Sequence, residues 1–149
     1  MCIRDRIEID TVPYTTIVGQ RSGAADFFSV TVGAGQRLSA DIDFADGDLG
    51  GPSFDSMLAL FDGSMNELAS NDDGDISQGR WGSSSGLDSF LTWTNLSNTA
   101  VTVFVQVDRF GGNNFFAEET YLLGISVTGH ANTNIAEQGA DSILSLIHI

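Results

Sequence analysis

Acidic side chains gathered in one stretch of the sequence are the residues best suited to chemistry. Asp55 begins a predicted strand, the next predicted loop is rich in aspartate, and a further aspartate follows it. Carboxylates that lie close together without a cation repel one another, which raises their pKa values. A hard dication with about 6–8 oxygen ligands relieves that repulsion, whereas a solvated acidic loop needs none. The candidate metal ligands are Asp55, Asp72, Asp73, Asp75 and Asp88, with Asn71 beside them.

A second acidic run precedes the first in the chain. Asp41 and Asp43 alternate along one predicted strand, and Asp46-Gly47-Asp48 has the composition of a turn. Neither run has the spacing of an EF-hand calcium loop. We expect the second run to be a solvated face of the domain. Its alternative role is a second, weaker calcium site at Asp43, Asp46 and Asp48.

A nucleophile motif in the sequence lacks its structural context. The segment Gly82-Ser83-Ser84-Ser85-Gly86 matches the pattern of a hydrolase nucleophile elbow, which requires a strand before it and a helix after it. Here a loop leads into a strand, and His130 lies beyond the last predicted strand. We therefore predict no catalytic residue, no organic cofactor and no enzymatic activity for this segment.

Loop aromatics offer a different function. Trp81, Phe110, Phe115 and Phe116 are predicted to lie in loops, where bulky apolar side chains call for an explanation. They either pack over one end of the domain or form a contact surface for a polysaccharide or a protein. Asn95-Leu96-Ser97 matches the acceptor pattern for N-glycosylation.

The elements that would position these residues are strands. Apolar residues alternate with polar ones around Phe28–Val32, Leu38–Phe44, Val101–Val107 and Tyr121–Val127, which indicates strands with one buried face. The shorter apolar runs Met57–Phe61 and Phe90–Trp93 are typical of strands deeper in a sheet. Glycine and aspartate turn signals separate the runs. This pattern predicts an all-β antiparallel sandwich or jelly roll of about eight strands.

Composition narrows the class of partner. The 149 residues carry a net charge of −14, and all six basic residues are arginine. Such a surface repels nucleic acid and anionic lipid. No apolar run approaches the ~18 residues of a membrane-spanning helix. We therefore expect neither a nucleic-acid partner nor a membrane span.

Both ends of the sequence resemble translated sequencing-adapter read-through. The segments are Met1–Arg6 and Leu144–Ile149, so the lone Cys2 is not expected to be native. The expected organisation is an artefactual start and a lead-in strand at 1–18, a compact domain at 19–129, and a linker with an artefactual tail at 130–149.

Four segments carry a family resemblance. They are Ala25–Val32 followed by Gly35-Gln36, Asp55–Asp62, Asn66–Asp73, and Leu87–Leu91 with the later strand Val101–Asp108. In this order they resemble the bacterial pre-peptidase C-terminal domain over residues 19 to 129. The sequence departs from that family at Asn98–Thr102, where a Gly-Thr-Tyr motif is usual, and its loops at Gly50–Phe54 and Gln78–Gly86 look longer.

The resemblance implies a function as well as a fold. Domains of this family are non-catalytic β-sandwiches appended to secreted bacterial enzymes, often peptidases, and several bind calcium. It therefore implies an extracellular or cell-surface location, a parent catalytic domain on the same chain, and calcium as the ion at the first acidic cluster. The competing interpretation is a polysaccharide-binding or protein-binding module that uses the loop aromatics.

Overall fold

All regular structure described in the computed structural model is β-strand. The model describes residues 5–6, 14–21, 24–47, 49, 51–75, 85–111 and 119–127. The strands are β1 (Asp5–Arg6), β2 (Tyr14–Arg21), β3 (Asp26–Val32), β4 (Arg37–Asp43), β5 (Ser56–Phe61), β6 (Glu67–Asn71), β7 (Phe90–Thr94), β8 (Val101–Arg109) and β9 (Glu119–Val127). Within these ranges there is no helix long and apolar enough to cross a membrane.

The strands form two sheets. One has the order β1-β3-β8-β5-β6 and the other the order β2-β9-β4-β7. The two-residue β1 pairs in parallel with β3, and every other pairing is antiparallel. Eight antiparallel strands in two sheets of four confirm the predicted β-sandwich.

The core lies between the sheets and follows the alternation in the sequence. β3, β8 and β9 each direct every second side chain inward, and these side chains are at most 7% exposed. The alternating buried residues are Phe28, Val30 and Val32 on β3, Val103, Val105 and Val107 on β8, and Tyr121, Leu123, Ile125 and Val127 on β9. Burial of this apolar surface is the main force that holds the sheets together.

The four-stranded sheet differs from the expectation in its burial. Asp41 and Asp43 on β4 are only 2% and 3% exposed, so the prediction that they form a solvated face is wrong. β4 is an interior strand with β9 on one side and β7 on the other, and its outer face is covered as well. Alternation in the sequence shows which side chains share a face, but not whether the polar face meets water.

The extent or position of three strands also differs from the expectation. β4 ends at Asp43, because Phe44 has a left-handed backbone with φ of 62°. β7 is an edge strand rather than one deeper in the sheet. β2 pairs with β9 from Tyr14 onward, so its pairing crosses the boundary expected before Gly19.

Asn95 connects the β3–β4 turn with its own loop between β7 and β8 at one end of the sandwich. Its side-chain Nδ2 lies 2.8–3.0 Å from the carbonyl oxygens of Val32, Gly33 and Thr99, and its Oδ1 accepts hydrogen bonds from Ser97. The residue is 2% exposed. Asn95 therefore fits the glycosylation pattern in sequence, but its amide is buried and engaged in the fold.

We expect Asn95→Ala to lower the free energy of unfolding by about 1–3 kcal/mol, because buried backbone carbonyls lose their donor. Thermal unfolding should show a loss of several degrees in Tm. The matched control is Asn98→Ala, which changes an exposed residue of the same turn and should leave Tm nearly unchanged. Equal effects of the two substitutions would contradict the role assigned to Asn95.

Candidate functional site

The first acidic cluster lies at one end of the sandwich, where several loops meet. The segment Asn71–Gly74 follows β6 and runs beside the start of β7. Gly74 N donates to the carbonyl of Asp88 at 2.8 Å, and Asn71 Nδ2 donates to the carbonyl of Phe90 at 2.8 Å. A Cβ atom on Gly74 would lie 2.5 Å from that Asp88 oxygen, so the close approach requires glycine.

A buried pair of hydroxyl groups links the same region to β5. Ser56 Oγ and Ser89 Oγ lie 2.7 Å apart, and both residues are fully buried. Ser89 Oγ is also 3.2 Å from the Asp72 carbonyl, and Ser56 Oγ donates to the Leu87 carbonyl at 2.7 Å. These contacts join the first strand residue of β5, in one sheet, to the approach to β7 in the other. They thereby hold the acidic loop in place.

The buried carboxylate of Asp88 accepts backbone hydrogen bonds from two loops. Oδ1 accepts a hydrogen bond from Ala45 N at 2.9 Å and Oδ2 accepts one from Ser85 N at 3.3 Å. The residue is 1% exposed. Buried backbone donors need such partners, so Asp88 ties the loop after β4 to the loop before β7.

The surroundings of Asp55 disfavour the ionised form of its carboxyl group. Partial burial raises the pKa of its carboxyl group, and the negative charges of Asp73 and Asp72 raise it further, while Arg109 acts in the opposite direction. Its Oδ1 atom is buried and receives no hydrogen bond from the described residues. The arrangement disfavours ionised Asp55 unless a cation comes close.

The predicted ligands are therefore brought to one end of the domain but serve different purposes. Asp72 is partly exposed, whereas Asp73 and Asp75 are exposed on the loop. Within the described ranges, no three acidic, histidine or cysteine side chains already group closely enough to hold a metal ion. Asp43 of the second set is buried and Asp46 is partly buried, while Asp48 lies outside the described residues.

The aromatic and nucleophile predictions fall largely outside the described residues. Trp81, Phe115 and Phe116 lie there, as do His130 and the first three residues of the Gly82–Gly86 motif. Phe110 is described and is 51% exposed. Its backbone N donates to the Asp55 carbonyl at 2.8 Å, so Phe110 lies next to the acidic cluster.

Two buried polar contacts were not predicted. Arg109 Nη1 donates to Glu119 Oε1 at 2.7 Å, and Tyr121 Oη donates to Asp26 Oδ2 at 2.7 Å. Glu119 is fully buried. The sequence did contain an indication of the Arg109 contact. Because the chain has few cations, an arginine at the end of an apolar strand indicates an acidic partner. Nothing in the sequence indicated the partner of Tyr121.

Comparison with solved structures identifies two similar proteins. The periplasmic inhibitor of g-type lysozyme from Aeromonas hydrophila, PliG, is 14% identical, with a TM-score of 0.52 over 82% of this chain and 93% of that one. The pre-peptidase C-terminal domain of collagenase from Bacillus anthracis is 15% identical, with a TM-score of 0.48 over 83% of this chain and 92% of that one. No protein-family model and no curated protein sequence matches the chain.

These comparisons bear on the fold. The first likeness shows that the chain shares a β-sandwich architecture with the lysozyme inhibitor. The second is to a domain of the family that the sequence segments resemble, but its TM-score lies below 0.5. The family resemblance therefore rests on those segments, and the function is argued from the site.

The raised pKa of Asp55 leads to a prediction for the calcium-free protein. A carboxyl group whose pKa is raised on folding favours the folded state at low pH, and this contribution is lost as the pH rises above the ordinary value of 3.8 through the folded pKa. In EDTA, the difference in Tm between Asp55→Asn and the parent protein should therefore depend on pH. The Tm of the variant relative to that of the parent should rise by a few degrees from low pH to neutral pH. Thermal unfolding across that range measures the difference. A difference that does not change with pH would contradict the assigned repulsion.

Proposed function

We propose that this chain is a non-catalytic, calcium-stabilised β-sandwich module of a secreted bacterial protein. It would be appended to a catalytic domain on the same chain, such as a hydrolase or peptidase, and would aid stability, secretion or substrate positioning. The observation that carries the proposal is the buried Oδ1 atom of Asp55, which receives no hydrogen bond from the described residues and feels the negative charges of Asp73 and Asp72. The similar β-sandwich from Aeromonas hydrophila is described as periplasmic, which agrees with a location outside the cytoplasm.

The donor set suits calcium better than a transition metal. The side chains at this end of the sandwich offer carboxylate oxygens, and the Asp55 Oδ1 atom is buried without a hydrogen bond from the described residues. Oxygen ligands are those that calcium prefers. Asp55, Asp72 and Asp73 would hold the ion, and Asp75 would add charge from the loop surface. Asp88 would contribute mainly by fixing the loop, since it already accepts two backbone hydrogen bonds.

The ion would act through linkage to folding. Calcium that binds the folded loops but not the unfolded chain stabilises the fold by about 1.4 kcal/mol at ~10-fold excess over Kd. Because the exposed Asp73 side chain has to be drawn toward Asp55, we expect an affinity in the range of ~10⁻⁴–10⁻³ M found in extracellular modules. The millimolar calcium outside a cell would fill such a site, and the cytoplasm would leave it empty.

We expect millimolar calcium to raise the Tm of the full chain by up to about ten degrees over its value in EDTA, since ~1 kcal/mol moves Tm by roughly 2–8 °C in small domains. Magnesium should do less, because it binds reluctantly to flexible all-protein sites. Differential scanning calorimetry in the three conditions measures this. Equal Tm values in calcium and EDTA would refute the calcium proposal.

Substitutions separate ion binding from loop fixation. Asp72→Asn and Asp73→Asn should abolish the calcium-dependent rise and should raise Tm slightly in EDTA, because each removes a charge that repels Asp55. Asp88→Ala should lower Tm in both conditions, because Ala45 and Ser85 lose the acceptor for their backbone N–H groups. Glu67→Gln removes the same charge from an exposed position on β6 and serves as the control. A calcium response that survives both Asp72→Asn and Asp73→Asn would place the ion elsewhere.

A second candidate function is binding of a polysaccharide or a protein through loop aromatics, which the exposure of Phe110 favours. If it holds, a soluble glycan or a substrate protein should quench or blue-shift the tryptophan fluorescence, and Phe110→Ala should weaken the response. Val18→Ala, at a similarly exposed apolar residue on β2, is the matched control. An unaltered response in Phe110→Ala would exclude Phe110 from the contact.

A further inference from the structure

One side of β7 has no neighbouring strand among the described residues, and the calcium proposal leaves this edge unexplained. In an antiparallel pair, alternate residues direct their N–H and C=O groups toward the partner strand, and the others direct them away. At the two ends of the β4–β7 pair, Ser89 O accepts from Ile42 N and Asn95 N donates to Gln36 O. The odd-numbered residues of β7 therefore face β4. Thr92 and Thr94, like Phe90, face outward.

The described residues cover only the first part of this outward edge. Asp88 O accepts from Gly74 N, and Phe90 O accepts from Asn71 Nδ2. The Asn71–Gly74 segment thus acts as a partial neighbouring strand as far as Phe90. Beyond it, no described residue hydrogen bonds to the outward N–H and C=O groups of Thr92 or Thr94.

The uncovered part of the edge opens into a recess between the two sheets. A recess of about 400 Å³ is lined by Leu68 of β6, by Trp93 and Thr94 of β7, and by Leu96 and Val101 beyond β7. A smaller one of about 240 Å³ adjoins it at Asn71, Phe90 and Thr92. Leu68 is 38% exposed and Leu96 is 89% exposed. Apolar side chains thus stand beside unpaired backbone groups.

β7 lacks the features that usually protect an edge strand. Edges are commonly blunted by charged residues, proline or bulges. The facing edge strand β6 has two of these, since Glu67 is charged and Leu68 is an extra residue opposite the Leu60–Phe61 step of β5. β7 reads Phe-Leu-Thr-Trp-Thr, with neither a charge nor a proline. Its exposed half is chemically suited to accept another strand.

The charge around the recess specifies the occupant. Asp62 lies on its rim, and hydrogen bonds from Asn66 lower the pKa of this carboxyl group, so it is ionised at neutral pH. Glu67 adds a second negative charge nearby. Arg37 pairs with Thr94 but alternates with the buried Leu38, which places Arg37 on the outer face of the sheet. Strand-like ligands for this edge should therefore be cationic.

We propose that β7 binds an extended, cationic polypeptide segment by strand addition. The segment would exchange backbone hydrogen bonds with Thr92 and Thr94, and its alternate apolar side chains would enter the recess beside Trp93. This site lies along the β7 edge and does not require calcium. The experiments on the ion site and on the strand-binding site can therefore fail independently.

The test uses the full chain and a fluorescein-labelled peptide of alternating valine and threonine residues flanked by lysines. Fluorescence anisotropy should show saturable binding. Thr92→Pro should weaken it about tenfold or more, because proline removes one outward N–H without removing a bond to β4. Thr92→Val keeps that N–H and is the matched control, which should bind like the parent. Leu96→Ser should also weaken binding, whereas Val18→Ser on the opposite flank should not.

Peptide variants keep the test valid even if Thr92→Pro fails to fold. Two peptides, one N-methylated at every valine and one at every threonine, each lose the donors along one edge, so at least one of them should not bind the parent chain. A peptide flanked by glutamate should bind more weakly. Equal binding of both methylated peptides, or of Thr92→Pro that folds normally, would overturn the proposal. Light scattering that shows a concentration-dependent dimer dissolved by Thr92→Pro would also overturn it, because the occupant would then be a second copy of this chain.

Discussion

The outward carbonyl groups of Asp88 and Phe90 determine the arrangement of the functional end of this sandwich. They hold the Asn71–Gly74 segment against the start of β7. This one set of hydrogen bonds fixes where Asp72 and Asp73 lie relative to Asp55. It also fixes how much of the β7 edge is covered by the part of the chain that the structure describes. Both the acidic cluster and the free edge thus follow from where this loop ends its contact with β7.

The buried polar groups around that loop explain how an acidic chain tolerates its own charge. Ser56 and Ser89 pair their hydroxyl groups, and Asp88 receives backbone N–H groups from two loops. Such groups stabilise a fold only when their hydrogen bonds are made. Asp55 differs from them, because its buried Oδ1 receives no hydrogen bond from the described residues and its nearest charges include two carboxylates. Asp55 therefore combines a buried oxygen that receives no hydrogen bond with two repelling carboxylates, and a bound cation would relieve both.

The sequence predicted the fold better than the site. Alternation marked the buried faces of β3, β8 and β9, because the inward residues of a sandwich must be apolar in every second position. It did not reveal that Asp41 and Asp43 are buried, since that depends on what covers the outer face of β4. The acidic residues stay candidate ligands, and the hydrogen bond that Asp88 accepts comes from Ala45 N, 43 residues away, which the sequence could not indicate. The outward direction of Thr92 and Thr94 depends on strand pairing, which composition does not encode.

The Asn71–Gly74 segment contributes to both the proposed calcium site and the proposed strand-binding site, but neither site needs the other to be occupied. Its side chains Asp72 and Asp73 belong to the proposed ion site, whereas Asn71 Nδ2 and Gly74 N cover the edge of β7. An ion that orders this loop would fix the point at which edge coverage stops, but it would not touch Thr92 or Thr94. Calcium would therefore change the affinity for a cationic strand only modestly. It would restrict the motion of the loop, and it would also neutralise carboxylates near the edge. The two effects have opposite signs, because ordering the loop favours binding of a positive segment and neutralising carboxylates disfavours it.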